Sequence, residues 1–322
     1  MISIIICNRN KFYLEQIQKN IYETIGVEFE LIIIDNQKND YNIFQAYNIG
    51  VEKSKGEILC FAHEDIIFHT MNWGEKVVKH FTDEKTGMIG ISGGNAFPNC
   101  PAPWWNSTLL NDHLGHIIQH WKEGFGPKND PFKKPIEGLK NVTYDYHNPF
   151  SEVRTKAVIL DGVWMCAPKH VFEKCKFDEE TFKDFHCYDT DICFQIGQFY
   201  SIYVVFDILI EHFSMGKISK SWAQAAEILV DKWIPDLPKF EKVINKNVIN
   251  QYNSTCLLTY CYWIQEMGIN DKKIREIIIK YLKPYSLFSK SSETRLLWIW
   301  SKFGNKIARI QNKIIPFKNN FC

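Results

Sequence analysis

The chain is 322 residues long, 45% apolar, 15% aromatic and 23% charged, which suffices for about two domains of ordinary size with a real core. That composition excludes collagen-like, disordered and small disulfide-scaffold classes, and no window approaches the ~20 apolar residues of a membrane-spanning helix. Net charge is +1, but residues 286–322 hold seven Lys/Arg against one acid, Glu293. The rest is therefore faintly acidic, which excludes nucleic acid as the main partner for want of a basic footprint.

The opening MISIIICNRNK has no basic leader, and its apolar run is too short for a signal peptide. The ten cysteines include no CxxC pair and read as reduced cytosolic thiols, not as a disulfide frame or zinc knuckle. Ile2 to Ile6 is a buried strand, after which Leu14, Ile17 and Ile21 recur at helical spacing. Phe29 to Ile34 is a second strand; Phe44, Tyr47 and Val51 mark a second helix; Ile58 to Ala62 is a third strand. Trp73, Val77 and Phe81 then mark a helix and Met88 to Ile91 a strand. Continuous apolar strands between amphipathic helices predict an α/β fold with a mostly parallel sheet flanked by helices. Such sheets bind ligands at the carboxyl ends of their strands. Here those ends read Cys7-Asn8-Arg9-Asn10, Asp35-Asn36 and His63-Glu64-Asp65, all polar.

From Ser92 to Lys156 periodicity fails, and seven prolines with the pair Trp104-Trp105 mark a long loop region of the kind that is functional or disordered. Strand pattern returns at Val158 to Gly162 and at Ile202 to Phe206, and beyond Ser221 the chain reads as helical throughout, ending in a long helix from Glu293 to Ile315.

The turn after the first strand lacks the glycines of a GxGxxG fingerprint, which argues against a nicotinamide-binding sheet. GxxxxGK[ST], HExxH and GxSxG are also absent. A ligand must then be held by side chains and a metal. His63-Glu64-Asp65 puts two adjacent carboxylates at the ligand edge, where their repulsion favours a cation; a divalent ion bridging phosphates would supply it, and a solvated acidic turn is the plainer alternative. Tyr188-Asp189-Thr190-Asp191 precedes an apolar helix, so one acid caps the helix dipole while the other is free to act as a general base. His212, after the last strand, is by itself more often a satisfied structural histidine than a ligand, and its weight comes only from its company.

The order strand–CNRNK, strand–IDN, strand–FAHED, DGVWM, FDEETFKDFHCYDTD and IEHFSMG resembles the family 2 glycosyltransferases of the GT-A fold. In particular it resembles the bacterial glycosyltransferase-like group that includes a streptomycin-biosynthesis domain. The resemblance runs from residue 1 to about 233. It implies a catalytic domain over 1–220, with a nucleotide half to about 92 and an acceptor half over 93–220. A helical extension (221–285) and a basic amphipathic tail (286–322) then follow.

By that resemblance Asp65 is the metal-binding last acid of a DxD-type motif, with His63 in the place of the acid that meets the ribose and Glu64 beside it. Asp189 is the general base, Asp191 a supporting acid, and His212 completes a divalent metal site (Mn2+ or Mg2+). Cys7, Asn8, Arg9, Asp35, Asn36 and, more distantly, Asn48 line the nucleoside pocket. Trp104, Trp105 and Trp164 offer indole faces to an acceptor sugar or serve as core, and Asp161-Gly162 set backbone near the acceptor. The implied activity is inverting transfer from a nucleotide-diphosphate sugar to a glycan or lipid-linked glycan in bacterial surface glycan synthesis. A nucleotidyltransferase, or a nucleotide-sugar-binding protein that has lost turnover, are the alternatives.

In the tail, Leu296, Trp300, Phe303, Ile307, Ile310 and Ile314 form one apolar stripe flanked by Lys302, Lys306, Arg309 and Lys313. Such a helix suits peripheral contact through 290–315 with the inner face of the cell membrane, Trp298 and Trp300 lying at headgroup depth; packing on protein is the other reading. The expected location is cytoplasmic.

Overall fold

The computed structural model describes residues 1–105, 113–123, 132–216, 218–282 and 292–304, and these form two compact units. The first comprises residues 1–95 and 113–216; the second comprises the described residues of 96–112 and 217–321.

The first unit opens with β1 (Ile2–Asn8), α1 (Lys11–Thr24), β2 (Phe29–Asp35), α2 (Ile43–Lys53), β3 (Ile58–Ala62), β4 (Ile66–Phe68), α3 (Trp73–His80), β5 (Thr86–Gly90) and β6 (Ser92–Gly94). After β7 (Ala96–Phe97), which belongs to the second unit, it resumes with β8 (His113–His120), β9 (Lys133–Pro135), β10 (Val142–His147), β11 (Arg154–Ala157), β12 (Ile159–Leu160), β13 (Trp164–Pro168), α4 (Tyr188–Ile196), β14 (Ser201–Val205) and β15 (Ile210–His212). Local chemistry sets the helix starts. The Asn10 side chain accepts from Phe12 N at 3.0 Å and opens α1 directly after β1. Asn42 and Gln45 form a reciprocal capping box on α2.

The main sheet has seven strands in the order β11-β14-β5-β13-β3-β1-β2. Strands β1, β2, β3, β5 and β14 run the same way, while β13 and β11 run against them. The mostly parallel character expected from the apolar runs therefore holds, with two antiparallel strands let in. Ile2, Ile4 and Ile6 of β1 pack with Ile17 and Ile21 of α1 and with Trp73 and Trp164 in one buried cluster, each isoleucine contributing about 1.5–3 kcal/mol relative to exposure.

Two expectations are corrected here. The stretch from Ser92 to Lys156 is not one long loop: it supplies most of a second sheet, β12-β6-β8-β10-β9, with β15 pairing both β8 and β4. Its strands carry glycines and histidines in place of alternating apolar residues, and their pairing, not their side-chain period, defines them. The cysteines are also not all thiols. Cys60 and Cys166 face each other in the antiparallel β3–β13 pairing, with Cα atoms 4.2 Å apart, and are joined as a disulfide. That closeness is typical of directly opposed residues in an antiparallel ladder.

The second unit contains α5 (Lys220–Trp233), β16 (Lys239–Phe240), α6 (Lys246–Glu266), α7 (Asp271–Leu282) and α8 (Ser292–Phe303), with β16 pairing β7. The Tyr260 hydroxyl of α6 donates to Ala223 O of α5 at 3.1 Å, and the Ser254 and Thr294 hydroxyls join α6 to α8 at 2.6 Å. Leu296, Leu297 and Trp300 are buried within this unit. Trp300 is therefore a core residue, not a headgroup anchor, while Trp298 and Phe303 of the same helix are exposed. The helix expected to run to Ile315 ends at Gly304, whose φ of 80° is the left-handed terminator that glycine adopts without strain. The rest of the proposed stripe, Ile307 to Ile314 with its lysines and Arg309, lies outside the described residues. Among the described residues, no helix is long and apolar enough to cross a membrane.

Candidate active site

The site forms where β1, β2 and β3 of the first unit end, because the parallel register brings those ends level. Asn8 pairs with Asp35 across β1–β2, and Ile6 with Ala62 across β1–β3. β15 pairs antiparallel to β4, setting His212 opposite Ile66, and this places the last histidine beside Asp65. Nε2 of His212 lies 3.5 Å from Asp65 Oδ1, and Nδ1 of His63 lies 3.9 Å from the same oxygen. One ligand atom from each of His63, Asp65 and His212 falls within 4.8 Å of the others. Burial acts to raise the Asp65 pKa, but the neighbouring His212 and His63 imidazoles outweigh it and hold the carboxyl well below its usual range. Two imidazoles and an ionised carboxylate are a donor set that fits a divalent cation.

Glu64 takes no part in this cluster. Its Oε2 accepts from Arg9 N at 2.8 Å and Asn10 N at 3.0 Å, so it ties the end of β3 to the turn after β1. Nδ1 of His63 faces Asp65, and its Nε2 lies 2.7 Å from the Tyr188 hydroxyl. Burial keeps the Tyr188 phenol far above its ordinary pKa, hence neutral. Burial also lowers the His63 pKa against the opposing pull of Asp65.

Tyr188 begins α4, whose N-cap, Cys187, has a φ of 68°. The next residue, Asp189, accepts through Oδ2 from Gly162 N at 3.2 Å and through Oδ1 from Thr190 N at 2.7 Å. Burial and the neighbouring charge of Asp161 push its pKa up to about 7. Asp191 is fully buried and accepts from Gln195 Nε2 at 2.8 Å one turn along α4, which suits a supporting acid within the helix. Gly162 is needed for space: a Cβ there would run into the Tyr188 ring and hydroxyl. Asp161 accepts from Val163 N at 2.9 Å, keeping its carboxylate beside Asp189.

The structure thus brings His63, Asp65, His212, Tyr188, Asp189, Asp161 and Gly162 into one connected neighbourhood. Of the nucleoside-side residues, Cys7, Asn8, Asp35 and Asn36 converge at the ends of β1 and β2. Asn36 amide donates to Tyr41 O at 2.8 Å and Cys7 Sγ at 3.4 Å, and Asn36 N donates to Asn8 O at 2.7 Å. Arg9 and Asp35 are exposed beside them.

Other expected residues lie elsewhere. Asn48 is buried in α2, and its amide holds the 177–179 segment by donating to Phe177 O at 2.9 Å and Glu179 Oε1 at 3.0 Å. Trp164 is 0% exposed, its ring edge-on to Trp73 at 6.2 Å, so it is core and offers no face to a sugar. Trp104 and Trp105 stand edge to face at 5.3 Å in the second unit, the first buried and the second exposed. Sequence reasoning missed Phe185, whose ring is 40% exposed and lies 6.0 Å from His63. It also missed Gln119, which contacts His212 from the second sheet; a polar residue in an unrecognised strand left no signal.

The profile of the family described as "Glycosyltransferase like family" matches residues 3–229. The chain belongs to that family. No curated protein matches. Among solved structures, GalNAc-T7 with UDP, GalNAc and Mn2+ is similar at 11% identity and a TM-score of 0.48, over 96% of this chain and 57% of that one. The mannosyltransferase PcManGT from Pyrobaculum calidifontis, in complex with GDP-Man and Mn2+, is similar at 12% identity and a TM-score of 0.47, over 98% and 84%. S. aureus TarS 1-349 in complex with UDP-GlcNAc follows at 10% identity and 0.39, over 93% and 79%.

Proposed function

We propose that the protein is an inverting glycosyltransferase of the GT-A fold. In this reading it moves a sugar from a nucleotide-diphosphate sugar to an acceptor hydroxyl, on a glycan or lipid-linked glycan of bacterial surface polysaccharide synthesis. One observation carries the reading: the half-buried Asp189, with a pKa of about 7, stands one residue from the tyrosine that bonds His63 of the His63–Asp65–His212 group. A base poised near neutral pH beside a cation site is what a displacement at an anomeric carbon requires.

The reaction is a single displacement. The acceptor oxygen forms a bond to the anomeric carbon as the bond from that carbon to the diphosphate oxygen breaks. The acceptor proton passes to a carboxylate oxygen of Asp189, and the nucleoside diphosphate leaves with the bond's electrons. His63, Asp65 and His212 would hold a divalent cation, which when bound neutralises charge on the departing diphosphate. Two imidazole donors suit Mn2+ better than Mg2+, which prefers an all-oxygen shell. Gly162 N–H and Thr190 N–H orient Asp189. The polar ends of β1 and β2 at Cys7, Asn8, Arg9, Asp35 and Asn36 would receive the nucleoside.

The test is a screen of nucleotide sugars for release of nucleoside diphosphate, with Mn2+ and with chelator. Metal-dependent release from one donor supports the reading; pyrophosphate release from a nucleoside triphosphate would point to a nucleotidyltransferase instead.

A further inference from the structure

β15 lies between two strands of the second sheet. His212 is opposite Ile66 of β4 on one side and opposite Gln119 of β8 on the other. Its imidazole is hydrogen-bonded through Nδ1, 3.0 Å from Gln119 Oε1, and faces Asp65 with Nε2, 3.5 Å from Oδ1.

Which nitrogen carries the hydrogen is decided by the Gln119 amide. Its Nε2 donates to His120 O at 2.8 Å and to Ser214 O at 2.6 Å. Exchanging oxygen and nitrogen would turn the side-chain oxygen toward two carbonyl oxygens and lose both bonds. Oε1 therefore faces His212, and an amide oxygen only accepts. Nδ1 of His212 must therefore be an N–H, so the neutral ring carries its lone pair on Nε2, the nitrogen on the Asp65 side.

We propose that Gln119 is a positioning residue: it fixes His212 in the Nδ1–H tautomer and so presents a bare Nε2 to a divalent cation. The inference rests on the metal reading above and deepens it. A partner on the far nitrogen is the general device by which metal-binding histidines are oriented. Strand alternation supports the arrangement from the opposite face. Glu211 accepts there from His120 Nε2 at 2.6 Å through Oε1 and from His69 Nε2 at 2.8 Å through Oε2. One carboxylate thereby ties β15 to β8 and to the residue after β4, and keeps His212 and Gln119 in register.

The test uses the full chain, metal-free and above neutral pH, labelled with 15N-histidine; the His212 signals are assigned by their loss in His212→Gln. Long-range 15N–1H spectra should give the Nδ1-protonated pattern for His212. Gln119→Leu should lose that pattern and bind Mn2+ roughly 10–100-fold more weakly by calorimetry. An Nε2-protonated His212 in the wild type, or Mn2+ affinity in folded Gln119→Leu equal to wild type, would overturn the proposal. If Gln119→Leu does not fold, the wild-type tautomer still decides. A wild type that keeps the Nδ1–H tautomer and binds no Mn2+ would instead refute the metal reading on which the cation role depends.

Discussion

The Tyr188 hydroxyl lies 2.7 Å from Nε2 of His63, and this bond joins the candidate metal centre to the helix that carries the candidate base. It exists because residue 162 has no side chain. In Gly162→Ala the added carbon would collide with the Tyr188 ring, and overpacking of this kind costs about 1–3 kcal/mol. The variant should show a lowered thermal midpoint and weaker Mn2+ binding together. A Gly162→Ala protein unchanged in both would show that the Tyr188–His63 bond does not organise the site.

The pH dependence follows from Asp189. Its carboxyl must be ionised to accept a proton, and its pKa is about 7, so kcat/KM should rise with pH and level off above about 7. Asp161 contributes to that elevation by its charge. Asp161→Asn should move the midpoint of the rate profile to lower pH while still accepting from Val163 N. An unmoved midpoint would remove Asp161 from the account.

Stability should carry the same signature with a definite sign. The folded pKa of Asp189 lies above the ordinary carboxylate value of about 3.9. The stability tied to its protonated form is thus complete below about pH 4 and lost as pH rises through about 7. Asp65, held well below its usual range, stays ionised across that window and adds no slope there. Thermal midpoints should fall between about pH 5 and pH 8 in the wild type, and Asp189→Asn should reduce the fall.

Trp300 separates two readings of the C-terminal helix. It is 0% exposed within the second unit, so Trp300→Ala should destabilise by about 3–5 kcal/mol in denaturant unfolding. A headgroup anchor would instead leave stability unchanged and lower binding to anionic vesicles.

The first half of the α/β pattern was legible because its strands are continuous apolar runs: ISIIICN of β1 is buried nearly end to end between α1 and α2. The second sheet was not. β8 reads His-Leu-Gly-His-Ile-Ile-Gln-His and β6 reads Ser-Gly-Gly, neither with a two-residue apolar period, and only their partners make them strands. Asp65, Asp189 and His212 were readable from the order of motifs along the chain. Gln119 and Tyr188 were not, because their parts depend on the β15–β8 pairing and on the space above Gly162. Trp164 misled for the opposite reason: an aromatic after a polar turn reads alike whether it faces solvent or, as here, Trp73. The Cys60–Cys166 bond joins residues 106 apart in sequence, a proximity that only strand pairing creates.

The most direct test of the central claim is turnover and donor binding of Asp189→Asn measured side by side with the donor found by screening. The account predicts that sugar transfer falls by roughly 10²–10⁴-fold while the affinity for donor and Mn2+ stays within about twofold of wild type. Full turnover in Asp189→Asn would contradict it.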